Sequence, residues 1–407
     1  MLNPNFSHLQ CTLCGKTYPK DKVINLCEVD NRPLQIIYDT AKIKQQNNWY
    51  HPERKSLWRF SGLLPINESF MDFGEGYTPL LEYHDHSVAK QHGFKLFIKD
   101  EGKGHVGYGQ NPTHSFKDRG MSIVINMAKY FELDKLVVPT QGNAGDSLAY
   151  YANQTGISAA IIMPDDTPMP IQGSVAALSH HNPKIILEMV KGTIKEAGEK
   201  MKSDYVPNGF FNVATFQEPG WRIDGKKTMG LELAEPNVMS DKWELPDVIL
   251  YPTGGGTGIL GMNKAFDELE QLGMIDSKRP RIIAVQSQAT QPITKAFNKD
   301  AFEPEKTEAG NTLAVGLNVA GGVGHFKVLD IVKKSGGSSI AISEDEIALH
   351  LSQVWNDKHW WICPEAAACM AALSPLVDRG DIKKDDQVVV FNTGSFEKYL
   401  PNVRHLL

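Results

Sequence analysis

Cysteine is scarce in this chain, with five in 407 residues. That is too few for a disulfide framework at this length, so a reduced, cytoplasmic setting is expected. Apolar residues make up 41% of the chain, yet no run of them approaches the length needed to span a bilayer, and no membrane partner is expected. The start, MLNPNFSHLQ, has no basic stretch followed by an apolar one and does not read as a secretory signal. Basic residues are in deficit. The formal net charge of -6 leaves no excess to neutralise a nucleic-acid backbone, which argues against nucleic acid as the main partner. A small anion is still admissible, because a few local donors hold one against the overall sign. The pattern GxxxxGK[ST] is also missing, which argues against a P-loop.

What is present fits a compact protein of about two or three domains. From Gly76 onward, short apolar runs alternate with longer helical patterns. KLFIKD, KLVVPT, SAAIIMP, KIILEM, GFFNVA, DVILYPT, RIIAVQS and QVVVFNT read as buried strands. Segments such as FKDRGMSIVINMAKYF and EDEIALHLSQVW carry apolar residues at helical spacing. Strands separated by helices imply parallel pairing, hence an α/β fold with helices on both faces of mostly parallel sheets. The stretch from Thr294 to Gly310 is polar and reads as a surface excursion. Residues 1–75 look different, with three of the five cysteines and no strong helical period. Cys11 and Cys14 form a CxxC knuckle and Cys27 opens a second, but Asp30 stands where a fourth cysteine would complete a zinc ribbon. His8 is a possible substitute that nothing in the spacing demands. No metal is expected here, only a metal-free remnant of a ribbon.

Ligands of α/β sheets sit beyond the carboxyl ends of the strands, and three turns there are unusual. After DVILYP come Thr253, Gly254, Gly255, Gly256, Thr257 and Gly258. Consecutive glycines bring backbone N–H groups close to an anion, and the following helix adds its positive end, so a phosphate is the expected occupant. The plain alternative is a tight turn needing glycine only for its backbone angles. Gly256 to Gly261 also satisfies GxGxxG, but the next strand ends in Gln286, Ser287 and Gln288, without the acidic residue that would hold a dinucleotide ribose. The second turn is Asn111-Pro-Thr-His-Ser-Phe-Lys-Asp-Arg-Gly120. A lysine there is ordinarily a solvated cation; beside a helix N-terminus and a cationic cofactor, Lys117 would act as nucleophile or base. The third is Thr140-Gln-Gly-Asn-Ala-Gly145, where Asn143 is either a ligand group or a helix N-cap.

Together these turns resemble the fold-type II pyridoxal-5′-phosphate (PLP) enzymes, the group of tryptophan synthase β, and within it the threonine synthase branch. That branch shows GEGxTPL, PTxSFKDR, GNAG, YRxEGxKT, GGGxG, PEGAA and NTGSGLKY. This chain has Gly74-Glu-Gly-Tyr-Thr-Pro-Leu80, Pro112-Thr-His-Ser-Phe-Lys-Asp-Arg119, Gly142-Asn-Ala-Gly145, Trp221-Arg-Ile-Asp-Gly-Lys-Lys-Thr228, Gly254-Gly-Gly-Thr-Gly258, Pro364-Glu-Ala-Ala-Ala368 and Asn392-Thr-Gly-Ser-Phe-Glu-Lys-Tyr399. The matches run in family order from about residue 74 to the C-terminus.

The resemblance implies a two-domain, three-layer fold with PLP in the cleft between domains. It implies an arm over 1–75, a large domain from 76–110 and 226–407, and a small mobile domain over 111–225. By similarity, Lys117 would hold PLP through a Schiff base, Phe116 would flank its ring and Asn143 would bond its 3′-oxygen. Gly254, Gly255, Gly256, Thr257 and Gly258 would bind its phosphate, and Thr393 would face the pyridine nitrogen. Arg222 would meet a substrate phosphate, with Ser115 and Lys99 as further substrate residues. For Lys99 an ordinary surface ion pair is the equal alternative. The implied reaction takes O-phosphohomoserine and water to threonine and phosphate, in a homodimer or monomer. Serine/threonine deamination, a cysteate-type substitution, or a PLP-free regulatory module are the alternatives. Departures from the pattern are His114, where glycine is usual, Asp146-Ser147, and Phe396-Glu397.

Overall fold

The computed structural model describes residues 1–406. In chain order, β1 (Phe6–Cys11), β2 (Thr17–Pro19) and β3 (Leu34–Tyr38) come first. β4 (Leu80–Glu82) and β5 (Lys95–Asp100) follow, then β6 (Lys135–Pro139), β7 (Ser158–Pro164), β8 (Ile185–Val190) and β9 (Phe211–Asn212). The last are β10 (Val248–Pro252), β11 (Arg281–Ser287), β12 (Ser339–Ile342) and β13 (Gln387–Asn392). The chain divides into two compact units. One is residues 1–77 with 109–228; the other is 78–108 with the chain from 229 onward.

In the first unit, β6 to β9 make a parallel sheet in the order β8-β7-β6-β9. The N-terminal segment adds a separate antiparallel sheet, β2-β1-β3. That segment is fastened to the helix Trp221–Ala234 through its polar face. The Tyr38 hydroxyl donates to Asp224, and the Lys227 ammonium lies 3.2 Å from Asp224 and 4.2 Å from the Tyr38 ring centroid.

The second unit holds a six-stranded sheet in the order β12-β11-β10-β13-β5-β4, parallel except for the edge pair β4–β5. β10 is buried at every residue. That is why DVILYP reads as an unbroken apolar run: parallel strands are covered on both faces. The helix Pro364–Ala371, PEAAACMA, is buried throughout, its small side chains allowing close approach to the sheet. Cys363 and Cys369 belong to this apolar core, as plain packing of thiols would have it.

The α/β expectation stands, and the eight runs read as strands all contain one. Three details differ. β4, β12 and the N-terminal strands were not legible as strands, being short or lying in a segment without clear period. The stretch Thr294–Gly310 is not wholly a surface excursion. Its start belongs to the helix Pro292–Asn298, where Thr294 is buried and donates its N–H to Gln286 Oε1 at 3.0 Å. Finally, Lys117 does not open a short strand-to-helix turn. The preceding strand, β5, ends at Asp100 in the other unit, and the helix Lys117–Tyr130 leads into β6 instead.

Candidate active site

In the first unit the segment 111–120 is organised by one buried carboxylate, Asp118. It accepts from the Thr113 N–H and hydroxyl, both at 2.6 Å, and from the Ser147 hydroxyl at 2.6 Å. Charge-assisted bonds of this length hold the turn rigid, so Ser147 ties the lysine segment to the helix Asn143–Thr155. Its neighbour Asp146 is buried and accepts from Ser174 at 2.6 Å. His114 has φ +54° and is solvent-exposed, with Nδ1 3.1 Å from Gln110 Nε2. A positive φ is the reason glycine suits this place, and the imidazole points to solvent.

Lys117 is the first residue of its helix, and its ammonium lies 4.4 Å from the Phe116 ring centroid. Lys226 lies 4.7 Å from the same centroid. Lys226 is fully buried, and its pKa is pushed well below the lysine range, first by burial and then by Lys117 and Arg222. Arg222, one helical turn earlier, is also buried. Its Nη1 donates to the Val213 carbonyl at 3.0 Å, while Nε and Nη2 have no hydrogen-bond partner among the described residues. Its near carboxylate is Glu218, whose Oε2 accepts from the Arg222 N–H at 3.1 Å. Burial lifts Glu218 to about 7. Ser115 is fully buried with its hydroxyl unpartnered among the described residues. Asn143 is half-buried at the first position of its helix, and the cap itself is Gly142, so the asparagine is not spent as an N-cap.

The loop Gly74–Gly76 is fixed to the lysine helix by Glu75. This buried carboxylate accepts from Trp58 Nε1 at 3.0 Å, from the Phe73 N–H at 2.9 Å and from the Ser122 hydroxyl. Burial raises it to about 7.

In the second unit, β10 runs into Thr253–Gly256 and then the helix Thr257–Leu272. Gly256 has φ +78°. A side chain at Gly254 would collide with the Gly316 carbonyl, one at Gly256 with Val328, and one at Gly258 with the Tyr251 hydroxyl. Glycine is demanded by close packing here as well as by angle. His325 Nε2 lies 3.0 Å from the Gly254 carbonyl; burial lowers its pKa to about 4, so the neutral ring donates that bond. Gln286, where a dinucleotide site would need an acid, donates to the Thr253 carbonyl at 3.1 Å and accepts from Thr294. It braces the loop. Four N–H groups at a helix start lack intrahelical acceptors, and the loop leads directly into such a start at Thr257.

Thr393 follows β13 and is buried, 3.7 Å from Cys363 Sγ. Phe396 stacks on Trp361 with centroids 4.2 Å apart, and Trp361 on Trp355 at 4.0 Å. That column accounts for an aromatic at 396. Lys99 is neither on the surface nor open to a ligand. Its ammonium is buried and bonds the Thr78 carbonyl, the Thr78 hydroxyl at 2.6 Å and Glu232 at 2.7 Å. An amine so committed is a structural ion pair, and Lys99 leaves the candidate site.

The family model described as "Pyridoxal-phosphate dependent enzyme" matches residues 71–394. This chain belongs to the pyridoxal-phosphate dependent enzymes. Among its relatives, the threonine synthase of Methanosarcina acetivorans is 29% identical over 392 residues, 96% of this chain and 92% of that protein. That of Methanocaldococcus jannaschii is 28% identical over 390 residues, 95% and 91% of the two chains. Solved structures sharing the fold include an L-serine ammonia-lyase from Rhizomucor miehei, with TM-score 0.65, 20% identity and coverage of 81% and 97%. Another is threonine deaminase isoform 2 from Solanum lycopersicum, with TM-score 0.62, 22% identity and coverage of 81% and 83%. The residues present fit PLP: a glycine loop at a helix start that admits no side chain, and a lysine opening a helix beside an unpartnered buried hydroxyl, Ser115. Among the described residues no helix is long and apolar enough to cross a membrane.

Sequence reading missed Lys226, Glu218 and Asp118. A signal existed for the first: Lys226 is four residues from Arg222 and so shares its helix face.

Proposed function

We propose that this chain converts O-phosphohomoserine and water to threonine and phosphate. The observation that carries the reading is the buried guanidinium of Arg222, with the buried Lys226 amine one helical turn away. Arg222 keeps two nitrogens without a partner among the described residues, and the nearby carboxylate, Glu218, is itself pushed toward its neutral form. A buried guanidinium with two nitrogens left unbonded is unfavourable by several kcal/mol unless an anion joins it. A substrate phosphate supplies that anion. Ammonia loss from serine or threonine expels no phosphate and would leave that guanidinium without a task. The relatives named threonine synthase, matched over nearly the whole chain, support the same reading.

In this proposal Lys117 carries the cofactor, Asn143 and Phe116 orient its ring, and Thr393 faces its pyridine nitrogen. The backbone of Gly254, Gly255, Gly256, Thr257 and Gly258 holds its phosphate. PLP, when bound, supplies the electron sink that makes the α-carbon acidic. The Lys117 amine moves the protons at Cα and Cβ. Arg222 and Lys226 hold the γ-phosphate and take up its charge as the Cγ–O bond breaks, the kind of preorganised stabilisation that dominates such steps. Ser115 offers its hydroxyl to the substrate carboxylate. The balance closes when water delivers hydroxyl to Cβ and protons return to Cγ and Cα.

The test is release of phosphate and threonine from O-phosphohomoserine by the PLP-loaded protein, with Lys117→Ala and Arg222→Ala alongside. Equal release of both products that both variants lose supports the reading. Ammonia from serine or threonine without any phosphate turnover sinks it. A product that forms with sulfite but not with water would reassign the nucleophile.

A further inference from the structure

The N-terminal segment reads as a ribbon with one ligand missing, and the folded chain supplies the missing position. Cys11, Cys14, Cys27 and Asp30 offer ligand atoms that all lie within 4.8 Å of one another. Cys14 and Cys27 sulfurs are 3.7 Å apart, and Cys11 Sγ is 3.3 and 3.4 Å from the Asp30 oxygens. A tetrahedral ion with metal–sulfur bonds of about 2.3 Å spaces two sulfurs about 3.8 Å apart, and a sulfur and an oxygen slightly less. The sulfurs are too far apart for a disulfide and correctly apart for a shared ion.

The backbone agrees. Each knuckle turns its own N–H groups toward its first sulfur: the Leu13 N–H lies 3.4 Å from Cys11 Sγ, and the Val29 N–H 3.4 Å from Cys27 Sγ. The Tyr18 hydroxyl is 3.2 Å from Cys27 Sγ, and the Arg32 N–H donates to Asp30 at 3.0 Å. These contacts fix the ligands and offset the charge that thiolates would bring, the supporting role of groups around a metal's own ligands. His8 stands apart, its Nδ1 2.9 Å from the Ser7 hydroxyl.

We propose that Cys11, Cys14, Cys27 and Asp30 bind one zinc ion in a closed, structural site. Three sulfurs and one carboxylate gathered within 4.8 Å of one another suit zinc, whereas calcium and magnesium require six or more oxygens. Binding exchanges the three thiol protons for the metal and involves no electron transfer. The consequence reaches the catalytic unit. The loop between the two knuckles donates from Asn25 Nδ2 to the Asn212 carbonyl at 2.9 Å and to the Gln217 carbonyl. That segment includes Val213, whose carbonyl holds Arg222. The ion would thus steady the segment whose carbonyl, that of Val213, holds the Arg222 guanidinium.

The experiment measures zinc by mass spectrometry in the full-length, PLP-loaded protein purified under reducing conditions, then replaces it with cobalt(II). One zinc per chain, a sulfur-to-cobalt charge-transfer band and the intense visible bands of a tetrahedral site are expected. Asp30→Cys should keep the ion and strengthen the charge-transfer band; Cys27→Ser should lower metal content at least tenfold. Absence of zinc together with absence of a cobalt band in the wild-type chain overturns the proposal. So does alkylation showing Cys14 and Cys27 joined as a disulfide. If Cys27→Ser does not fold, the wild-type and Asp30→Cys spectra still decide.

Discussion

The ammonium nitrogens of Lys117 and Lys226 lie 4.4 and 4.7 Å from the centroid of one ring, that of Phe116. Only one of these amines opens a helix, and only one is fully buried. The two are therefore expected to separate by experiment. Lys117→Ala should abolish the visible absorbance of the lysine-bound cofactor and reduce turnover about 10³-fold or more. Lys226→Met should keep the absorbance and raise KM for the phosphorylated substrate. Loss of the band in Lys226→Met but not in Lys117→Ala would exchange their roles.

Arg222 presents a planar fork that an ammonium does not reproduce. Arg222→Ala should lower kcat/KM about 10²- to 10³-fold and weaken inhibition by inorganic phosphate in parallel. Arg222→Lys should recover part of both. Since removing one partner of a buried pair destabilises the chain by about 3 kcal/mol or more, the variants need to be compared with Arg222→Met/Glu218→Gln, which removes the guanidinium together with its nearby carboxylate. Phosphate inhibition unchanged across the series would remove Arg222 from the anion site.

At the glycine loop, the prediction concerns space. A methyl group at Gly258 meets the Tyr251 ring and hydroxyl. Gly258→Ala should therefore cost about 1–3 kcal/mol of stability and weaken PLP binding, because the helix start that would cradle the phosphate must shift. Adding Tyr251→Ala opens the space and should restore the cofactor affinity of the single variant in part. Equilibrium titration with PLP and thermal unfolding check both.

Glu75 makes stability depend on pH. Its folded pKa of about 7, raised by burial, lies above the ordinary 4.5. The folded chain holds that proton more tightly, so the contribution is full below 4.5 and is lost as pH rises through about 7. The span corresponds to about 3 kcal/mol. Glu75→Gln should flatten the urea midpoint over this window. It should also start from lower stability, by about 1–3 kcal/mol, because the amide sets a donor against one of the three donors Glu75 accepts. Glu218 titrates in the same window, so the informative quantity is the difference between wild-type and variant slopes. An unchanged slope would refute the assignment.

The α/β class was legible in the order of the residues, and the same order marked three glycine- or lysine-bearing turns as candidates for the site. Buried parallel strands must be apolar along their whole length, and the loop Gly254–Gly258 stands out because close packing at Gly254, Gly256 and Gly258 admits no side chain. Such demands are local in the chain and so survive in the order of its residues. Short edge strands such as β4 and β12 carry too few residues to show a period, and they waited for the fold. The fate of charged groups was decided only by tertiary structure. Lys99 and Arg222 look alike as isolated cations in a sequence. Lys99 met Glu232 and Thr78 and was consumed by them, whereas Arg222 met a single carbonyl with its guanidinium and kept two nitrogens unpartnered among the described residues. Asp30 stood at the fourth ribbon position in the sequence, but that its carboxylate lies within reach of all three sulfurs was shown only by the fold. Which partner a polar group finds depends on segments distant in the chain, and the energy of burying its charge rests on that partner.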